Sequence, residues 1–480
     1  MKWEMVIGLE THVELSTQTK IFCSCRVQFG GEPNTHCCPV CTGQPGSLPV
    51  LNEKAVRYAA TAGLALHCRI NRKSIMARKH YVYPDLPKAY QTSQYEQPMC
   101  EGGYVELSGG RRIHLTRIHI EEDAGKLVHR GDSVLIDYNR GGVPLIEIVT
   151  EPELRSAGEA VEYLEKLQAA MRAVGVSDCR MQEGSLRCDV NISLRPKGSS
   201  EFGTRAEIKN LNSFSSVAAA IACEYERQAD ILEQGGAVVQ ETRSFDADAG
   251  VTESMRGKEN ADDYRYFPEP DIVPVVLSDA LLDSLREAMP EMPDQKYARY
   301  LDEMGLTEAD AKLLTKYPKV SEYFEAAADG CQNPKTAAGF ILTQMFSLIP
   351  TEAEREEWSP AVSAGQLGEL ILLMEGGKVS RSVAVRVFTQ MLESGRPAGD
   401  FLSEKDLAGF DPAELTALCR AAIEGNPKSA ADYRAGKVKA VQVLVGAVMR
   451  QSKGRADAQQ AKPELERLLN AEDPSFPACK

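Results

Sequence analysis

The chain lacks any apolar run near the roughly 18 residues that a membrane helix needs. The stretch Phe340 to Pro350 is short and broken by Thr343, Gln344 and Ser347. Its first residues, Met1-Lys2-Trp3-Glu4-Met5, hold no apolar core and no small-residue cleavage site, so no secretory signal is expected and the expected location is cytoplasmic, with no membrane partner. Positive charge is in deficit: 55 Lys and Arg against 69 Asp and Glu leave a net charge of −14. Such a polyanion is a poor non-specific binder of nucleic acid, so any RNA must be gripped by local basic patches. Histidine is scarce, with seven residues and none after His129, which confines imidazole chemistry to the first third. No Walker loop is present, and no Gly-x-Gly-x-x-Gly follows a strand; Gly102-Gly103 and Gly141-Gly142 read as turns. If ATP is used, metal ions and side-chain cations must hold its phosphates.

What is present is ordinary globular material: 480 residues, 43% hydrophobic and 26% charged. That length suggests about three domains. Met5 to Leu15 alternates as a half-buried strand, with Glu10, His12 and Glu14 on one side and Ile7, Leu9 and Val13 on the other. Ser185 to Arg195 alternates more cleanly, and its polar face of Arg187, Asp189 and Asn191 suits a cleft. Ser156 with Glu159 fits a capping box opening a helix that stops at Gly175, and a second helix spans about 215–234. Strands, helices and hairpins without regular βαβ order predict an α+β fold up to about residue 293. Beyond it, amphipathic stretches such as Ala361 to Met374 and Ser380 to Leu392 predict helices alone, with a further boundary near 405.

Thirteen cysteines in a long chain predict metal ligation or plain burial rather than a disulfide framework. Cys23-x-Cys25 and Cys38-x-x-Cys41 form two close pairs that favour a closed, structural zinc site. Buried, unliganded thiols are the alternative, and His36 and Cys37 are surplus ligand candidates. Glu10 and His12 share a strand face about 7 Å apart and so can converge on one ion. Glu121, Glu122 and Asp123 end an apolar strand, and Glu147 lies inside the β-prone run Leu145 to Val149. A lone carboxylate there needs a partner, which is either a divalent cation such as Mg²⁺ or an arginine such as Arg140 or Arg187. Two basic segments suit phosphate or RNA, or else simply solvated surface. Arg69 to Lys88 interleaves cations with Tyr81 and Tyr83, and Lys428 to Arg455 carries seven cations against Asp432 alone.

A resemblance covers nearly the whole chain. Val6-Ile7-Gly8-Leu9-Glu10, Tyr83-Pro84-Asp85-Leu86-Pro87-Lys88, Glu121-Glu122-Asp123-Ala124-Gly125-Lys126, Pro144-Leu145-Ile146-Glu147-Ile148, Glu183-Gly184-Ser185-Leu186-Arg187-Cys188-Asp189, Glu207-Ile208-Lys209-Asn210 and Asp263-Tyr264-Arg265-Tyr266-Phe267-Pro268 resemble the B subunits of bacterial tRNA-dependent amidotransferases. Gly436-Lys437, Leu444-Val445-Gly446 and Lys453-Gly454 resemble their C-terminal tail.

The resemblance implies three domains. A glutamine-synthetase-like cradle with an antiparallel sheet spans 1–293 and carries a zinc-site insertion near 23–41; a helical linker spans 294–404; a small helical tail that recognises tRNA spans 405–480. It implies that Mg-ATP phosphorylates the side-chain carboxylate of Glu-tRNA(Gln) or Asp-tRNA(Asn), and that ammonia then displaces the phosphate. Carried over by motif, Glu10, His12, Glu122 and Glu147 are the implied catalytic Mg²⁺ ligands. Lys88, Ser185, Arg187, Asp189, Phe202 and Thr204 are the implied nucleotide positions, with Phe202 against adenine. Cys23, Cys25, Cys38 and Cys41 are the implied zinc ligands. Gly198-Ser199-Ser200 lacks a Gly/Ser-rich surround and no Cys–His glutaminase pair is evident, so a separate amidase (the A subunit) is implied as the ammonia source, braced by a small third protein (the C subunit). Two other readings use the same residues: a tRNA-binding zinc scaffold with a dead cradle, and a ligase amidating a free small acid. The intact acidic set argues against the first, and the basic tail against the second.

Overall fold

The computed structural model describes residues 2–257, 264–407, 412–452, 456 and 458–471. The chain divides into two compact units, Met1–Pro293 and Asp294–Lys480. The first is built on a ten-stranded sheet. Its order is Val251–Gly257, Glu241–Asp246, Ala206–Lys209, Leu186–Pro196, Trp3–Glu14, Pro144–Thr150, Arg112–Glu122, Cys100–Glu101 and Arg69–Ile70, with Tyr104–Glu106 also paired to Arg112–Glu122. Both alternating segments therefore become neighbouring central strands. All pairs run antiparallel except Ala206–Lys209 beside Glu241–Asp246. The helix Phe214–Glu233 lies between those two in sequence and returns the chain for a parallel pairing. The expected antiparallel sheet is thus a mixed one within an α+β unit.

The helices start and stop where their caps dictate. Ser156 Oγ accepts the Glu159 amide at 3.1 Å and opens the helix Ala157–Ala173. The Glu159 carboxylate reaches one residue past the cap and takes the Arg155 amide at 2.7 Å. Ser213 caps Phe214–Glu233 through the Ser216 amide at 3.0 Å. Gly175, at φ +67°, supplies the left-handed turn that ends the first of these helices. Tyr163, Leu164, Leu167 and Met171 join Ile7, Leu9, Val190 and Ile192 in one buried core. One sheet face is therefore apolar and covered, which leaves the other for polar groups.

The second unit is helical throughout its described residues. The helices expected over 361–374 and 380–392 are Ala364–Glu375 and Arg381–Ser394, each opened by a capping serine, Ser363 and Ser380. The unit holds two hydrophobic cores, one over residues from Tyr300 to Ala398 and one from Leu415 to Leu469. The expected boundary near 405 falls between them, and residues 408–411 lie outside the described residues. No helix among the described residues is long and apolar enough to cross a membrane.

Leu164 is fully buried at this helix–sheet contact. Leu164→Ala is expected to cost about 2–5 kcal/mol in chemical denaturation of the first unit. A loss below about 1 kcal/mol would contradict the packing described.

Candidate active site

Residues directly opposite one another on antiparallel strands project from the same face. His12 stands opposite Glu147 on one side and Arg187 on the other; Glu147 stands opposite His119, Glu10 opposite Asp189, and Asn191 opposite Glu207. Five strands thus contribute polar side chains to the face that the core leaves free. They gather in two clusters.

The first cluster is His12, His119, Glu121 and Glu147. His12 Nε2 lies 3.4 Å from Glu121 Oε1 and 3.6 Å from Glu147 Oε2. His119 Nε2 lies 3.3 Å from Glu147 Oε2 and 3.6 Å from Glu121 Oε2. One atom each of His12, Glu121 and Glu147 falls within 4.8 Å of the others, close enough for a single ion. Without an ion, the carboxylates hold protons on the imidazoles. Burial opposes the charged form of His12, but Glu121 and Glu147 outweigh it and its pKa is pushed up to about 10. The same carboxylates raise His119 against its burial, and Glu121 and Glu147 are held low in return.

The second cluster is Glu10, Asp189 and Glu207, again with one oxygen each within 4.8 Å of the others. Asn191 Nδ2 donates to Glu10 Oε1 at 2.9 Å, and Thr242 Oγ1 donates to Glu207 Oε2 at 2.9 Å. The Lys209 ammonium sits between the other acids, bonded to Asp189 and 3.3 Å from Glu207. In the absence of an ion, lysine supplies the compensating charge here, as histidine does in the first cluster.

This arrangement redistributes the expected site. Glu10, His12, Glu122 and Glu147 were expected around one cation. Glu10 and His12 share a face but lean toward different neighbouring strands, so they join different clusters. Glu122 joins neither. Alternation along Arg112–Glu122 puts His119 and Glu121 on the polar face, and Glu122 takes the Lys88 ammonium and, at 2.8 Å, the Thr92 amide. Lys88 and Glu122 line a cavity of about 140 Å³ together with Lys20, Phe22, Tyr90 and Cys41. The arginine partner considered for Glu147 goes elsewhere: Arg187 and Arg140 both turn to Asp123, at 2.7 and 3.5 Å.

The remaining nucleotide positions are dispersed. Arg187 and Asp189 lie on the polar face beside the clusters. Ser185 is buried, accepting the Arg180 amide at 2.7 Å and donating to Asp178. Phe202 is 65% exposed and rests against Arg195 in an open groove that also includes Glu4, Arg155 and Ser199. Thr204 is exposed on the segment leading into Ala206–Lys209.

Cys23, Cys25, Cys38 and Cys41 bring their sulfurs within 4.8 Å of one another, a donor set that fits one tetrahedral thiophilic ion. A hydrogen bond with the Cys23 thiol, then the Cys38 amide and the Lys20 ammonium, pull the Cys41 thiol well below its usual pKa despite burial. His36 and Cys37 are not in this group: the His36 amide donates to Asn139 at 2.8 Å, and the Cys37 thiol turns to the same oxygen at 3.8 Å.

Two clusters of half-buried to buried carboxylates on one sheet face each offer a set of donors that a divalent cation could take. Comparison with known proteins narrows the class. Residues 5–283 match the GatB/GatE catalytic domain, and residues 322–469 match the GatB domain. The chain is 51% identical to the B subunit of the aspartyl/glutamyl-tRNA(Asn/Gln) amidotransferase of Caldicellulosiruptor saccharolyticus, over 98% of this chain and all of that one. It is 49% identical to the B subunit of the same enzyme from Thermoanaerobacter pseudethanolicus and 46% to that from Persephonella marina, with the same coverage. The chain belongs to this family of amidotransferase B subunits.

In metal-free protein, the His12 imidazole is expected to stay protonated well past pH 8 in an NMR titration, because its titration is displaced to about 10. Its charge therefore stabilises the fold fully below about pH 6.5 and ceases to do so as pH rises through the displaced value. Glu147→Gln should move that titration down. A wild-type imidazole titrating near the ordinary value of about 6.5 would contradict the cluster.

Proposed function

We propose that this chain performs the ATP-dependent half of tRNA amidation in the cytoplasm: activation of the side-chain carboxylate of Glu-tRNA(Gln) or Asp-tRNA(Asn) as an acyl phosphate, then displacement of the phosphate by ammonia. The observation that carries this reading is the pair of carboxylate clusters lying side by side on one polar face. A carboxylate is a poor acyl donor because its leaving group is oxide, and phosphorylation gives it a better one. His12, Glu121 and Glu147 would hold one Mg²⁺ and Glu10, Asp189 and Glu207 another; such ions neutralise charge on a triphosphate during transfer. Because His12 keeps a proton when no ion is present, ion binding at the first cluster is coupled to proton release. Arg187, which stands opposite His12 and is bonded to Asp123, would exchange that carboxylate for a phosphate oxygen when nucleotide binds. Phe202 is a platform for the base at the far end of the same strands: Glu4, in its groove, precedes Glu10 by six residues, about 20 Å of extended strand.

The rest of the chain is read as support. The first unit is the cradle, of the glutamine-synthetase type. The four cysteines bind a structural zinc ion. Residues 294–404 form a linker and 405–480 a tail that meets tRNA. In that tail Lys428, Lys437, Lys439 and Arg450 are exposed, while Lys453 and Arg455 lie outside the described residues. The amidase partner supplies ammonia, and the small third protein of the complex braces it.

The test separates neighbouring acids. In the assembled complex, Glu121→Gln should abolish hydroxylamine-trapped acyl phosphate, a loss of at least about 10²-fold, with tRNA affinity unchanged. Glu122→Gln should still form it. The opposite ranking would move Glu122 into the metal shell and Glu121 out of it. Cys38→Ser should lower the thermal midpoint while leaving turnover at low temperature nearly intact; the reverse pattern would place the cysteines in catalysis.

A further inference from the structure

Most cations near the two clusters are spent on partners. Arg187 holds Asp123 at 2.7 Å, and Lys209 is bonded to Asp189. Lys79 is different. It lies on the short strand Ala77–His80, opposite Gln91 of Tyr90–Ser93. Alternation sends its neighbour Arg78 to the other side, where Glu269 takes it through two hydrogen bonds of 2.7 and 2.8 Å. The Lys79 ammonium makes neither an ion pair nor a hydrogen bond with the described residues.

Its surroundings are aromatic. The Lys79 ammonium lies 4.9 Å from the ring centre of Tyr264 and 5.9 Å from that of Tyr81. Tyr264 meets Tyr81 and Tyr266 edge-on, at 5.8 and 6.2 Å, and Tyr266 stacks on Tyr95 at 4.4 Å. Burial works against the charge, but Tyr266, Glu121 and Glu147 outweigh it and raise the lysine pKa. Geometry places the same face against the first cluster: Ser93 alternates onto the face of Gln91, which stands opposite Lys79, and Ser93 Oγ donates to Glu121 Oε2 at 3.4 Å. A half-buried ammonium with no acid bound to it, held by rings beside a divalent-ion site, lacks an anion. The reaction brings one.

We propose that Lys79 is a catalytic residue of the amidation, its ammonium contacting the side-chain carboxyl oxygen of the aminoacyl group and holding the negative charge that gathers there as ammonia adds. This rests on the acyl-phosphate reading above. In the first step a carboxylate oxygen bonds to the γ-phosphorus and the bond to ADP breaks. In the second, the ammonia nitrogen bonds to the carbonyl carbon, whose π electrons move onto the oxygen that Lys79 contacts. That pair then returns, the carbon–oxygen bond to phosphate breaks, and the departing phosphate takes one proton from nitrogen. Lys79 keeps its own protons throughout, so it acts as a fixed charge and not as a base. The tyrosine wall serves the same step. The faces of its rings lie around the ammonium and lower the local dielectric, which strengthens the field that the ammonium exerts.

The experiment uses the complete complex with misacylated tRNA and ammonium chloride, compared across wild type, Lys79→Met and Lys79→Arg. Lys79→Met should lower kcat by about 10²-fold with KM for tRNA unchanged. The deficit should be the same factor from about pH 7 to about pH 9, because no titration of Lys79 contributes. Lys79→Arg, which keeps the charge, should recover most of the loss, and the partner's glutamine hydrolysis should be unaffected. Thermal melting of both variants controls for folding. The proposal is overturned if Lys79→Met stays within about threefold of wild type, if its loss appears only in KM for tRNA, or if raising the pH rescues it as it would replace a missing base. If Lys79→Met melts early, Lys79→Arg decides: an arginine variant that melts normally yet is as inactive as the methionine one overturns the role of charge. A wild-type complex showing no ATP-dependent amidation would instead defeat the underlying reading.

Discussion

The period of two along a β-strand is the constraint on which the rest depends. It puts Ile7, Leu9, Val190 and Ile192 on one side of the sheet and Glu10, His12, Asp189 and Asn191 on the other. The apolar side gains a core beneath two capped helices. The opposite side must then accept charges close together and partly out of water, which costs several kcal/mol per uncompensated ion. Every acid of the two clusters is accordingly met by a cation or a donor: histidines for Glu121 and Glu147, Lys209 for Asp189 and Glu207, and Asn191 for Glu10.

That compensation explains how stability and function coexist on one surface. Imidazolium and ammonium are replaceable partners, since a divalent ion supplies more charge at the same place. A face whose acids are only partly offset by its own imidazoles and lysine can exchange those protons and lysine contacts for metal and phosphate. Its scaffold stays put because the opposite side is packed apolar material. The hydrogen bonds of Asn191 and Thr242 hold Glu10 and Glu207 in place independently of that exchange.

Much of this was legible from residues alone, for physical reasons that also mark where legibility ended. Strand alternation exposed Glu10 with His12 on one strand and Arg187 with Asp189 on another as polar faces, and Ser156 located one helix start. Alternation also said which of Glu121 and Glu122 shares the polar face: with Ile118 and Ile120 in the core, residues 119 and 121 must face the other way. Motif resemblance pointed to Glu122 instead. His119 and Glu207 carried the same signal within Arg117–Asp123 and Glu207–Lys209, but nothing local says which strands become neighbours. Register between distant strands decided that Glu10 meets Asp189 while His12 meets Glu147, and that one pair in the sheet runs parallel. The four-cysteine group was legible because its ligands come in two short pairs on one loop; the exclusion of Cys37 was not, because it depends on Asn139 from far along the chain.

The central claim is that two divalent ions, rather than one, occupy this face when nucleotide binds. Anomalous diffraction from crystals of the complex soaked with Mn²⁺ and a non-hydrolysable ATP analogue tests it directly. The account predicts two peaks, one touching His12, Glu121 and Glu147, the other touching Glu10, Asp189 and Glu207. A single peak shared by Glu10, His12, Glu122 and Glu147, or no peak at either cluster, would contradict it.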